Sequence, residues 1–174
     1  MADTYTFFLK LFSWRVAMYE GELAKRPEGA AANPAYAIHM HMRRFEMTKR
    51  DGPSQAPCLE GRFEGFTQRR ASIWGNGVMS TARMPSYQKD VSWSFVHNAD
   101  EYTWYAQVFE KTWELTGADG EIIAVFDRGV MALRRMGVLR FTRRIEDETF
   151  RSLAIAVALF VARSVSAVEG AAVS

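Results

Sequence analysis

The chain has 174 residues, of which 48% are hydrophobic and 24% charged. That composition excludes a disordered polymer and suits one domain, which at this length buries roughly 70% of its unfolded surface without disulfide or metal staples. A net charge of +2 excludes a general nucleic-acid binder, and the single cysteine, Cys58, excludes an intramolecular disulfide.

The N-terminus, Met-Ala-Asp-Thr-Tyr-Thr-Phe-Phe, has no basic start and no small-residue cleavage site. It predicts an intracellular protein, cytoplasmic or peripheral to a membrane. Residues Tyr5 to Tyr19 are rich in aromatic and β-branched side chains and read as strand. Gly21 to Pro34 is a Gly/Ala/Pro-rich connection. Tyr36 to Lys49 is a second strand region, with Tyr36, Ile38, Met40 and Met42 on one face and Ala37, His39, His41 and Arg43 on the other. Asp51-Gly52-Pro53-Ser54 is a turn cluster, Cys58 to Ile73 is extended, and Trp74-Gly75-Asn76-Gly77 reverses the chain.

Val91, Trp93 and Phe95 alternate with Ser92 and Ser94, the pattern of a half-buried strand. Asn98 to Glu101 is a turn, and Tyr102 to Leu115 is extended and carries Trp104, Tyr105, Phe109 and Trp113. Gly117-Ala118-Asp119-Gly120 predicts a hairpin leading into Glu121 to Asp127. Met136 to Phe141 is the last strand, and Glu146, Asp147 and Glu148 then suit a helix N-terminus.

The segment Leu153 to Ala162 is ten apolar residues in a row. A span of the hydrocarbon needs about 20 apolar residues, so a run of about 10–14 predicts a buried core helix rather than a membrane anchor. A helix apolar all round must be surrounded. Roughly eight to twelve short strands with regular turns predict a sandwich or barrel. Closing the sheet round the helix satisfies both demands and removes the sheet edges. The predicted fold is therefore mainly β, a closed antiparallel barrel around a central hydrophobic C-terminal helix, spanning 1–168 as one domain with a tail over 169–174.

Several segments carry a likeness to a known superfamily. They are Tyr102-Thr103-Trp104, then Trp113-Glu114-Leu115, then Asp119-Gly120-Glu121-Ile122-Ile123-Ala124-Val125-Phe126, then Gly137-Val138-Leu139-Arg140-Phe141, and the terminal Phe150 to Ala162. Asn33-Pro34-Ala35-Tyr36-Ala37-Ile38 echoes an early strand. In this order they resemble the tubby C-terminal-like superfamily of tubby domains, phospholipid scramblases and LURP-one-related proteins, and most of all its small fungal members of uncharacterised function. The resemblance implies a barrel of about twelve strands around a hydrophobic helix. It also implies a surface that binds an anionic lipid of the phosphoinositide type.

Three sets of residues are candidates for chemistry. Basic doublets recur, and Arg43, Arg44, Arg69, Arg70, Arg134 and Arg135 are the arginines that would hold a phosphate if they converge on one rim. Neighbours in a strand face opposite ways, so each doublet offers one arginine; the alternative is plain charge balance with the 20 acids. His39-x-His41-x4-Glu46 puts two imidazoles on one strand face with a carboxylate further on, similar to the first metal motif of cupins. His97 is the residue left to complete such a site, and the competing reading is a solvated strand face. Trp93 and Trp104 either line an apolar ligand pocket or fill the core.

No nucleophile elbow, Cys-x-x-Cys, phosphate-binding Gly-rich loop or His-Glu-x-x-His is present. The expectation is a non-enzymatic module without a cofactor, its partner an anionic headgroup, a membrane surface or a protein. The alternative is a barrel enzyme or small-molecule carrier.

Overall fold

The computed structural model describes residues 2–10, 15–28, 33–49, 57–64, 69–75, 77–84, 90–129 and 135–173. Twelve antiparallel strands close into a barrel in which every strand pairs with its sequence neighbours and β1 pairs with β12. The strands are β1 (Thr4–Lys10), β2 (Arg15–Glu20), β3 (Tyr36–Met40), β4 (Arg44–Lys49), β5 (Leu59–Glu64) and β6 (Arg70–Gly75). They continue as β7 (Val78–Arg83), β8 (Asp90–His97), β9 (Asp100–Gln107), β10 (Thr112–Thr116), β11 (Ile122–Arg128) and β12 (Arg135–Phe141), and α1 (Glu148–Val173) ends the chain.

Four extended regions read from the sequence as single stretches are hairpins. Tyr5 to Tyr19 divides into β1 and β2, Tyr36 to Lys49 into β3 and β4, Cys58 to Ile73 into β5 and β6, and Tyr102 to Leu115 into β9 and β10. In three of them the buried face changes parity across the reversal, from Tyr5 and Phe7 to Val16 and Met18, from Ile38 and Met40 to Phe45 and Met47, and from Trp104 and Ala106 to Trp113 and Leu115; in β5–β6 it does not. The predicted turn Asp51-Gly52-Pro53-Ser54 lies outside the described residues, as does Arg134. The β8–β9 reversal uses Asn98 and Ala99, both at positive φ (51° and 70°), as the two-residue turn that best matches strand twist requires. In the β10–β11 hairpin, Gly120 at φ 82° donates its N–H to the Gly117 carbonyl.

α1 is threaded through the barrel. Every residue from Ser152 to Ala162 is buried, as one expects of a helix with no polar stripe. By length and composition the helix could cross a membrane, yet 67% of its most apolar window is buried inside the protein. Two indoles fasten it to the wall. Trp93 Nε1 donates to Ser164 Oγ at 3.0 Å and Trp104 Nε1 donates to the Ala154 carbonyl at 2.9 Å. Phe160 packs edge-on against Phe45, Phe63 and Trp93, with ring centroids 4.8–5.3 Å apart.

The helix starts where Asp147 accepts the Phe150 N–H at 3.0 Å, an N-cap. Asp3 Oδ2 accepts from Ile145 N and from Arg151 Nη1, both at 3.2 Å, tying β1 to the helix start. The helix continues to Val173, and Glu169 pairs with Arg128.

Candidate functional site: an arginine-rich barrel end

Antiparallel closure sorts the strand termini into two sets. At the end where α1 leaves the barrel lie Lys10, Arg15, Met40, Arg44, Glu64, Arg70, Arg83, Asp90, Gln107, Thr112, Arg128 and Arg135. Seven of these twelve are Lys or Arg, whereas Lys49 is the only one at the end where the helix enters. The basic residues that bound the strands thus collect at one end of the barrel.

The asymmetry is sharpest on the outer wall of β4 to β7. Arg44 stands directly opposite Arg62, and Arg70 directly opposite Arg83, all four exposed. Cross-strand partners have Cβ atoms about 5 Å apart, and like charges placed so are destabilising. Glu64, opposite Arg70, and Glu101, 3.1 Å from Arg83, offset part of the charge. Arg44 lies 3.9 Å from Glu46. Among the described residues, Arg62 and Arg70 have no ion-pair partner, nor do Arg43 in the adjoining turn or Arg15 on β2. Each facing pair thus contains one arginine with no ion-pair partner among the described residues, and its forked N–H groups suit a phosphate.

The doublets read from the sequence separate here. Arg43, Arg44 and Arg70 belong to this patch, and Arg69 sits half-buried just before β6, its carbonyl bonded to the Met84 N–H. Arg135 is four strands away on β12, where Glu22 lies 3.6 Å from it, so it does not join them. Arg62 and Arg83 escaped the sequence reading because they are not doublets. Only the register, which sets them opposite Arg44 and Arg70, makes them part of a cluster.

Two exposed apolar side chains stand at the same end. Met42, in the β3–β4 turn, is 76% exposed, and Phe109, in the β9–β10 turn, is 71% exposed. Phe109 is also held at φ 74°, an uncommon conformation for an aromatic residue that only its surroundings can enforce. Glu169 of the helix accepts a hydrogen bond from the Phe109 backbone, and Arg163 donates to the His41 and Met42 carbonyls at 3.3 and 3.1 Å. The last turns of α1 therefore fix both tips.

His39, His41 and Glu46 come together at this end too, by a different route from the one the spacing suggests. β3 ends at Met40, so His41 is in the turn, and Glu46 lies on β4 directly opposite His39. Their ligand atoms all lie within 4.8 Å of one another. Burial and then the Arg15 charge lower the His39 pKa. His97 does not join them: it is at the far end of the barrel, where its Nε2 is 2.7 Å from Asp147 Oδ2.

Trp93 and Trp104 belong to the core and grip the helix. A cleft of 350 Å³ at the end where the helix enters, between His97, Tyr102, Arg143, Arg144, Asp147 and Phe150, has neither in its lining. Cys58 donates its S–H to the Met47 carbonyl at 3.2 Å, and burial pushes its pKa up, away from the reactive thiolate. Compared with family models, with curated proteins and with solved structures, the chain matches none.

Proposed function

We propose that the chain is a non-enzymatic barrel that docks on an anionic membrane surface through the end where its helix emerges, taking phosphoinositide-type headgroups between the arginines of β4 to β7. The observation that carries this reading is the facing of Arg44 with Arg62 and of Arg70 with Arg83. Such pairs cost stability in an isolated protein, and a polyanion converts the cost into affinity. Met42 and Phe109 would add burial in the acyl boundary to electrostatic attraction, but Met79 at the opposite end is as exposed, so the arginines alone set the orientation. The resemblance to tubby domains and scramblases, read from the hairpin and helix motifs, points the same way. On this reading the protein is peripheral to a membrane inside the cell, and α1 is a structural axle that stays in the barrel.

The test is co-sedimentation with vesicles of neutral lipid, of neutral lipid with phosphatidylserine, and of neutral lipid with a phosphoinositide. Binding should follow anionic charge, be strongest with phosphoinositide, and fall as salt rises. Arg62→Glu/Arg70→Glu should abolish it. Equal sedimentation with all three compositions would rule the reading out.

A further inference from the structure

We propose that His39, His41 and Glu46 form a binding site for a divalent transition metal of the Zn²⁺ class. The site is independent of the docking reading and stands on three observations. First, the register sets His39 and Glu46 directly opposite each other on the outer faces of β3 and β4, and the turn brings His41 to the same place, with all three ligand atoms within 4.8 Å. Rotamer adjustments then suffice to bring two imidazoles and a carboxylate to the roughly 2.0–2.2 Å that such a metal requires.

Second, Glu46 faces a like charge. Glu60 is its direct partner on β5, and Trp74 Nε1 donates to Glu60 Oε2 at 3.2 Å, which holds the second carboxylate in place. Opposed carboxylates are unfavourable without a cation. Arg44 offsets Glu46 only in part: it is 3.9 Å away and its side chain is 67% exposed, and a pair of that kind contributes about 0–1 kcal/mol. Third, the turn that presents His41 is fixed from both sides. The His41 N–H donates to the Arg44 carbonyl at 2.7 Å, and Arg163 from α1 donates to the His41 carbonyl.

Two imidazoles and one carboxylate leave at least one coordination position open to solvent. Arg15 stands opposite His39 and Arg44 lies 3.9 Å from Glu46, so water or a small anion would complete the coordination of a bound metal.

Tag-free protein titrated with Zn²⁺ in a calorimeter should bind one equivalent. Co²⁺ in its place should give visible d–d absorption and broaden the His39 and His41 ring signals in NMR spectra, leaving those of His97 sharp. His39→Ala, His41→Ala and Glu46→Gln each remove a direct ligand. Each should weaken binding by more than the roughly 10–100-fold typical of losing an outer partner. His97→Ala should bind as wild type does. Because all three residues lie on the outer wall or in a turn, circular dichroism of the variants should match the parent. Absence of stoichiometric binding, undiminished affinity in any of the three variants, or broadening of His97 in place of His39 and His41 would overturn the assignment.

Discussion

The two ends of the barrel solve opposite problems. Where the helix enters, charges meet partners: Asp3 with Arg151, Glu148 with Lys49 and Glu121 with Arg143, and Asp147 hydrogen-bonds His97. These contacts join the start of α1 to β1, β4 and β8, so this end closes the molecule. Where the helix leaves, Arg44 faces Arg62 and Arg70 faces Arg83, although Arg128 is paired there with Glu169. The first arrangement favours stability and the second gives it up locally. The contrast separates charge that finds a partner within the fold from charge that the register sets against its like.

The comparison yields predictions of graded size. The axle common to both ends should be the least tolerant part. Leu159 is 2% exposed, and Leu159→Asp places an uncompensated charge in the core. The cost of several kcal/mol is comparable to a total stability of about 5–15 kcal/mol, so the variant should fail to fold, as its circular dichroism and solubility will show. At the end where the helix enters, Arg151→Ala strands Asp3 in a pair whose members are only 18% and 21% exposed. It should cost about 3 kcal/mol in urea unfolding, the low end for a buried pair that loses one member.

The wall behind the arginines should be intolerant on its inner face. Gly61 lies opposite Phe45, and a Cβ there would press on the Phe45 ring and come within 2.7 Å of the Ser72 carbonyl oxygen. Gly61→Ala should cost about 1–3 kcal/mol by overpacking, read as a lower melting temperature. The Asp147 cap is a smaller effect. Asp147→Ala should cost about 1 kcal/mol.

The Asp147 carboxyl is held below its usual range chiefly by the Phe150 N–H it accepts, with His97 adding to the effect. Its stabilisation is therefore fully present above the unfolded carboxyl value of about 3.9 and fades as pH falls through the lower folded value. Asp147→Asn should flatten that acid limb of the stability curve while keeping most of the cap. Smallest of all for the fold, Arg62→Glu and Arg70→Glu should change stability by no more than about 0.5 kcal/mol, since both side chains are exposed. Those same changes should be the ones that alter binding.

The architecture was largely legible in the residues themselves. Ten apolar side chains from Leu153 to Ala162 require a wrapping, and Tyr36, Ile38 and Met40, or Val91, Trp93 and Phe95, alternate as an inward face must. The division of long extended stretches into hairpins was legible only as a change of phase, as where Tyr36, Ile38 and Met40 give way to Phe45 and Met47 across the reversal at His41 to Arg43. The candidate sites were legible only in part. Arg44 and Arg70 stand out as members of doublets, but Arg62 and Arg83 become their partners through pairing that no local pattern encodes. Spacing alone places Glu46 on the strand of His39 and His41; the fold sets it across from His39 on the next one. His97 had no sequence signal tying it to Asp147, 50 residues later.

The most direct test of the docking claim is an amide NMR titration of the intact chain with a soluble inositol polyphosphate, which removes the bilayer and leaves only the headgroup chemistry. Shifts concentrated at the Arg44, Arg62, Arg70 and Arg83 amides, lost on raising the salt, are the predicted result. Shifts centred instead on His97, Arg143 and Arg144 at the opposite end, or none at any concentration, would contradict it.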